Sequence, residues 1–403
     1  MSSGSIKVNR VYYLGTNPFP PGVLRVWHNA LALRDAGVEV AVAGLADDAD
    51  KPSVEIRGGV VYHALPRPRG SRVLGYLKEA AVFRDWLAER SRSHPPESVI
   101  LSGPYSRMLA FILPLSRQLR IACVPDLVEW FSIAAQVRKR GMRGWLDVVD
   151  VQAALRYGIA RTSGVIAISR YLEEHCRQLG VPALRVPPLI DTQDAVWSFV
   201  ENAAESEQLR LLFMGTFRRD RMDLLLNGIA EARRRGARVR LEFLGSSREE
   251  FCEWTGMGER VEALGSGIHF FGRVPREQVA QIAVGADFAV LLRDDARWSR
   301  ACFPSKLVEL AAVGVPMLCN LTSDLSLYLK DGVNSIVVPR LNSVDVVSAL
   351  ERASALSRSQ RLCLRRGARQ MAETEFDYRH FSASMHEFLL RVTSRCKARV
   401  VDD

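Results

Sequence analysis

The sequence predicts an α/β protein of two doubly wound halves in tandem, and three observations predict it. Short apolar runs alternate with longer segments of helical period along most of the chain. The alternation breaks once, at 193–208, and then restarts. The 403 residues suffice for two domains, each with its own core.

The first half opens with an apolar run at 11–14 that stops at Gly15. A helical pattern at 24–36 follows and ends at Gly37, and 39–44 is the next strand. Strand-like runs recur at 60–64, 99–101, 121–124 and 164–168. Between them, Val73, Leu77, Ala80, Phe83 and Leu87 share one helical face. The stretch 193–208 follows Pro187-Pro188 and ends polar and acidic, so it reads as the interdomain connection.

The second half repeats the scheme. Leu209–Met214 is a strand, 222–235 a helix, and Val239–Leu244 a strand that stops at Gly245. The run 288–292 is another strand. A helix at 306–312 ends at Val313-Gly314 and leads into a strand at 316–319, and 336–339 closes the series. The expected domains are therefore 1–192, a linker at 193–208, and 209–372. A terminal helix at 373–403 carries Phe381, Met385, Phe388, Leu389 and Val392 on one face, and either docks on its own domain or crosses back to the first. In doubly wound folds ligands collect at the C-terminal ends of strands, and the cleft between two facing halves is the expected site.

Composition narrows the class. Apolar residues make up 48% and charged residues 25%, as in soluble globular proteins. No apolar segment follows the basic N-terminus, and no run of 18 apolar residues occurs, so neither a secretory signal nor a transmembrane helix is expected. The seven cysteines include no CxxC pair and read as reduced thiols. A net charge of +10 reads either as an Arg-rich soluble surface or as attraction to anions, namely phosphates, lipid headgroups or nucleic acid, and charge alone does not choose between them.

The strongest local signal is Phe303-Pro304-Ser305-Lys306-Leu307-Val308-Glu309, a polar loop running straight into a helix. Free N–H groups and the helix dipole favour a phosphate at such a start. Lys306 adds a point charge in the first turn, and Glu309, one turn on, can accept from both ribose hydroxyls. The bland alternative is a helix start with a solvated glutamate.

At this stretch the chain resembles the donor-binding motif of the family-4 glycosyltransferases, a large retaining family with the GT-B fold of two Rossmann-like domains facing across a cleft. Other segments resemble the family in the same order: Leu211-Leu212-Phe213-Met214-Gly215, Ile268-His269-Phe270-Phe271-Gly272-Arg273-Val274 and Lys330-Asp331-Gly332-Val333-Asn334. Upstream, Val165-Ile166-Ala167-Ile168-Ser169 and Val186-Pro187-Pro188-Leu189-Ile190-Asp191 resemble the end of its acceptor domain.

The resemblance implies a nucleotide-sugar donor, with UDP or GDP as its base, no metal and no further cofactor. It assigns the diphosphate to the loop after the first strand of the second half. There the usual Lys-Gly pair is absent, and Arg218 and Arg219 stand in for it, with Arg221 a third candidate beside Ser305 and Lys306. Gly215, Glu309 and the backbone at Arg273 and Val274 would meet the nucleoside, and Cys302, Phe303 and Pro304 the sugar. The first of the family's two motif glutamates falls on Ala301, while Glu309 matches the second; a Pro-Ser-Lys motif resembles a recognised variant of the family.

On the acceptor side the family's Gly-Gly loop becomes Asn17-Pro18-Phe19-Pro20-Pro21-Gly22, where Asn17 and Gly22 are the candidates. Asp126 and Glu129, after the strand at 121–124, are the carboxylates placed to bind or deprotonate an acceptor hydroxyl. No enzymic nucleophile is expected. The acceptor is expected to be a glycan, a lipid-linked sugar or a small molecule, and nucleic acid is not an expected partner.

The basic run Arg138-Lys139-Arg140-Gly141-Met142-Arg143-Gly144-Trp145 suits an anionic membrane surface, with an ordinary solvated loop as the alternative. A cytoplasmic protein at the inner face of a membrane is the corresponding location. The rival functions are a nucleotide-sugar epimerase, an inverting enzyme of the same fold, and a non-catalytic GT-B partner in a glycan-building complex. A dehydrogenase is disfavoured because no GxGxxG follows a strand.

Overall fold

A computed structural model describes residues 7–15, 24–46, 52–68, 72–103, 105–130, 144–201, 208–215 and 217–399. The chain divides into two compact units, 1–189 with 301–303 and 378–403, and 190–300 with 304–377.

The first unit is built on an eight-stranded sheet. Its strands are β1 (Arg10–Leu14), β2 (Glu39–Ala46), β3 (Ser53–Arg57), β4 (Val60–Pro66), β5 (Ser98–Ser102), β6 (Ala122–Leu127), β7 (Val165–Ala167) and β8 (Ala183–Arg185). They lie in the order β3-β4-β2-β1-β5-β6-β7-β8, all parallel except β3, which runs antiparallel to β4 at the edge. The central strands are apolar throughout because helices cover both faces of the sheet. The terminal helix Ser382–Arg399 belongs to this unit: Met385, Phe388, Leu389 and Val392 share a core with Val11, Tyr13 and Ile100.

The second unit has a six-stranded, all-parallel sheet of β9 (Leu209–Met214), β10 (Val239–Leu244), β11 (Ile268–Gly272), β12 (Phe288–Leu291), β13 (Met317–Cys319) and β14 (Ser335–Val337). The order β11-β10-β9-β12-β13-β14 is the doubly wound arrangement in which strand order reverses between β9 and β12. The unit begins at Ile190, so the described part of the connection expected at 193–208 belongs to it. Trp197 is buried there, its carbonyl accepting from Arg369 Nη1 at 2.7 Å.

Two strands of the first unit were not anticipated. Ser53–Arg57 is a mostly exposed edge strand without the apolar run of a central one, and Ala183–Arg185 is only three residues long. A third difference bears on function. The strand expected at 121–124 continues to Leu127, so Asp126 lies within β6, paired with Ser102 on one side and Ile166 on the other.

Candidate donor site

In the second unit Gly215, Arg218, Arg219 and Arg221 follow β9, one of the two strands between which the order reverses. β9 is followed by Gly215, whose φ of 116° is a left-handed conformation that suits glycine. Its N–H donates to Leu244 O at 2.9 Å, which turns the chain across the end of β10. Phe217–Arg219 then forms one short helical turn with Phe217 buried, so the arginines that follow are presented outward. The guanidinium of Arg218 stacks over Trp254, 4.3 Å from the ring centre, and that of Arg219 lies 5.6 Å from the centre of Trp298.

Arg221 is engaged otherwise. It chelates Asp223 through Nε and Nη2 at 2.8 and 2.7 Å and reaches Asp294 at 3.1 Å. These bonds raise its pKa further and make it a strut between the loops after β9 and β12. Two carboxylates thus share the charge of Arg221, which a diphosphate would have to win from them.

Three residues that sequence reasoning passed over join it at the crossover. Arg293 Nε donates to Asp220 at 2.8 Å, and Asp220 has a fully buried side chain. Asn320 clamps the backbone of Arg293 from both sides, accepting from its N–H at 2.9 Å and donating to its carbonyl at 2.8 Å. Burial pushes the Asp220 carboxyl up from its ordinary range, and Arg293 and Arg219 pull against that shift. No spacing rule links residues 73 positions apart, so only the parallel pairing of β9 and β12 could have shown this pair.

The motif helix runs from Ser305 to Ala312, and its start faces the C-terminal edge of the sheet because the chain enters from β12 and returns into β13. Lys306 Nζ donates to both oxygens of Glu309, at 2.8 and 3.0 Å, on one side of the first turn. Glu309 is buried while Lys306 is half exposed, so the pair presents its cation outward. Before the helix, Ala301–Phe303 belong to the first unit and Pro304 to the second, so the three candidate sugar contacts, Cys302, Phe303 and Pro304, are not gathered in one unit. Arg273 is largely exposed and pairs loosely with Glu250 at 3.5 Å, while Gly272, at φ 68°, turns the backbone toward Val274.

In the first unit Asp126 departs from its expected role. It is 1% exposed and receives Arg25 through Nε at 2.9 Å and Nη2 at 2.6 Å, the hydroxyl of Tyr13, and Asn29 Nδ2 at 3.3 Å. Arg25 Nη1 also donates to the carbonyls of Val186 and Pro187 at 2.9 and 3.0 Å. Burial and the neighbouring Asp126 hold the Tyr13 hydroxyl well above its usual pKa. A carboxylate so enclosed ties the first helix, β6 and the 186–187 turn together, and the catalytic assignment is withdrawn. Glu129 is half-buried beyond the end of β6. Asn17, Gly22 and the basic residues 138–143 lie outside the described residues.

Among the described residues no helix is long and apolar enough to cross a membrane. Comparison with known proteins agrees with this architecture. Residues 23–189 match the glycosyl transferase 4-like domain and residues 208–355 the glycosyl transferases group 1 domain. No curated protein sequence matches. Among solved structures, sucrose-phosphate synthase from Thermosynechococcus elongatus superposes with a TM-score of 0.74 at 15% identity, covering 96% of this chain and 100% of that one. The catalytic domain of starch synthase IV from Arabidopsis thaliana, bound to ADP and acarbose, gives 0.70 at 13% identity over 96% and 100%. Anabaena HepE in complex with UDP gives 0.65 at 14% identity over 94% and 99%.

Proposed function

We propose that this chain, which is a glycosyltransferase of the GT-B fold, moves a sugar from a nucleoside-diphosphate sugar to an acceptor hydroxyl with retention of anomeric configuration. The observation that carries the reading is the Lys306–Glu309 pair on the first turn of a helix that starts at the C-terminal edge of the second sheet. One position offers a cation and free N–H groups to phosphate, the other a buried carboxylate to ribose hydroxyls.

In this reading Arg218, Arg219 and Lys306, with the N–H of Ser305, face the diphosphate. Glu309 would exchange its hold on Lys306 for the ribose as the lysine turns to phosphate. Gly215 lets the backbone approach the nucleotide, and the chain at Arg273 and Val274 meets the base. Cys302, Phe303 and Pro304 line the sugar, and Asn17, Gly22 and Glu129 receive the acceptor. As the bond from sugar to diphosphate breaks, negative charge grows on the leaving oxygen. Fixed cations stabilise that charge more than the bound ground state, which is the condition for raising the rate. The same cations fill the place a metal would take.

The ADP and UDP carried by the similar structures support a nucleotide donor here, and UDP or GDP is the base proposed. The proposed acceptor is a glycan, a lipid-linked sugar or a small molecule, met in the cytoplasm, with the inner face of a membrane as the place for a lipid-linked one. A thermal-shift panel of UDP, GDP, ADP and their sugar conjugates tests the donor. A ligand at a hundred times its Kd stabilises the fold by about 2.7 kcal/mol. One nucleotide should raise the melting temperature, and Glu309→Ala should cut the rise by about half or more, as a tenfold weaker affinity requires. A folded protein that no nucleotide shifts would overturn the donor site. The configuration of the product's new linkage, read by NMR coupling, tests retention.

A further inference from the structure

On the first unit, the helix Ser106–Leu119 faces the helical stretch that begins at 144 and passes through Ala154–Gly158 into Ile159–Arg161. The two approach closely at Gly158, where an added Cβ would stand 2.7 Å from Leu109 Cδ1. Beside that contact they leave a groove of about 360 Å³, lined by Leu109, Ala110, Leu113, Pro114, Ala153 and Tyr157. That volume is within the roughly 300–1,000 Å³ of small-ligand sites.

The surface around the groove is unusual in both polarity and charge. Trp145 and Val149, one turn apart, are 52% and 44% exposed, and Tyr157 on the groove is 66% exposed, so this stretch carries a broken apolar stripe outward. Arg117 and Arg161 border the groove itself, and Arg156 is exposed beside it. Arg161 Nη1 is braced on Tyr157 O at 2.6 Å. Segments 106–119 and 151–163 contain no Asp or Glu. The acids just before 151 in the chain, Asp147 and Asp150, are buried, and Asp150 is engaged by Ser106 and Arg107. The face thus offers hydrocarbon contact and positive charge with no exposed acid on either segment.

We propose that this groove seats an anionic membrane lipid, one hydrocarbon chain lying between the two helices and the headgroup phosphate meeting Arg117 and Arg161. Charge complementarity selects the occupant: an amphiphile with an apolar body and a negative head matches both properties of the face at once. A neutral lipid would leave the arginines without a counter-charge, and a polyanion without an apolar body would leave the stripe in water. The proposal deepens the peripheral-membrane reading by naming a lipid and its seat, and it is independent of the donor site.

The full-length protein is sedimented at low salt with vesicles of phosphatidylcholine alone and with vesicles holding an equal share of phosphatidylglycerol. Two variants accompany it: Ala110→Trp, which fills the groove from an exposed position, and Arg117→Glu with Arg161→Glu. Melting temperatures equal to the wild type's certify their folds. The wild type should bind the anionic vesicles, and each variant should weaken that binding about tenfold or more, since excluding even two methylenes is worth roughly that factor. If the wild type ignores anionic vesicles, the membrane reading and the groove both fall. If it binds and neither variant matters, the membrane reading stands on another surface and the groove is refuted. Loss on charge reversal alone, with Ala110→Trp unaffected, would show headgroup contact only and overturn the hydrocarbon seat.

Discussion

Replacing Asp126 by alanine isolates the largest buried electrostatic arrangement of the first unit. The substitution leaves the Arg25 guanidinium, 8% exposed, with two carbonyl partners but no counter-charge, and removes acceptors from Tyr13 and Asn29. Removing one partner of a buried ion pair costs about 3–5 kcal/mol. For a unit of this size each kcal/mol lowers the melting temperature by roughly 2–4 °C, so a fall of about 6–20 °C is expected in calorimetry. The paired replacement Arg25→Met with Asp126→Leu should recover much of that loss, because apolar side chains of similar volume substitute for a buried pair at little or no cost. Tyr13→Phe should cost only about 1 kcal/mol. The decisive contrast is with sugar transfer. If Asp126→Asn melts like the wild type yet transfers sugar a thousandfold more slowly, Asp126 is a catalytic base after all and the structural assignment is refuted.

Three further outcomes are expected. Glu309→Ala should weaken nucleotide binding in calorimetric titration by tenfold or more, about 1.4 kcal/mol or above, while Lys306 alone retains part of the phosphate affinity; unchanged affinity would remove Glu309 from the site. Gly215→Ala should destabilise the second unit by about 1–3 kcal/mol, because the left-handed φ of 116° strains any residue with a Cβ; an unaltered urea midpoint would contradict this. Asp220 should make wild-type stability depend on pH. Its folded pKa lies above the unfolded value, so between the two the folded state holds more protons. Stability should therefore fall, relative to Asp220→Asn, as pH rises through the window just above the ordinary 3.8, and parallel urea midpoints across that window would reject the shift.

How far the site was legible depends on the separation of the residues that make each contact. Lys306 and Glu309 meet within one helical turn, so their spacing announced the pair. Asp220 and Arg293 lie in loops after β9 and β12, strands that are neighbours only because the order reverses between them, and Asp294 receives Arg221 across the same crossover. Asp126 read as a carboxylate just after a strand because the apolar run ends at Val124; its ladder partners Ser102 and Ile166 carry the strand past it, and Arg25, a hundred residues upstream, pairs with it in the interior. The edge strand Ser53–Arg57 lacked an apolar run because one antiparallel neighbour is all it has.

By itself the sequence determined the α/β class, the restart of the pattern near Leu209 and the helix that opens at Ser305, because apolar periodicity and helix starts are local properties. Tertiary structure decided which charges are available for chemistry. Asp126 is neutralised by Arg25, a hundred residues upstream, Arg221 reaches Asp294 across the crossover, and Arg117 and Arg161 come to border one groove because two helices close at Gly158. A side chain's charge is written in its residue type, but whether that charge faces solvent, a ligand or another side chain depends on which distant segment folds against it.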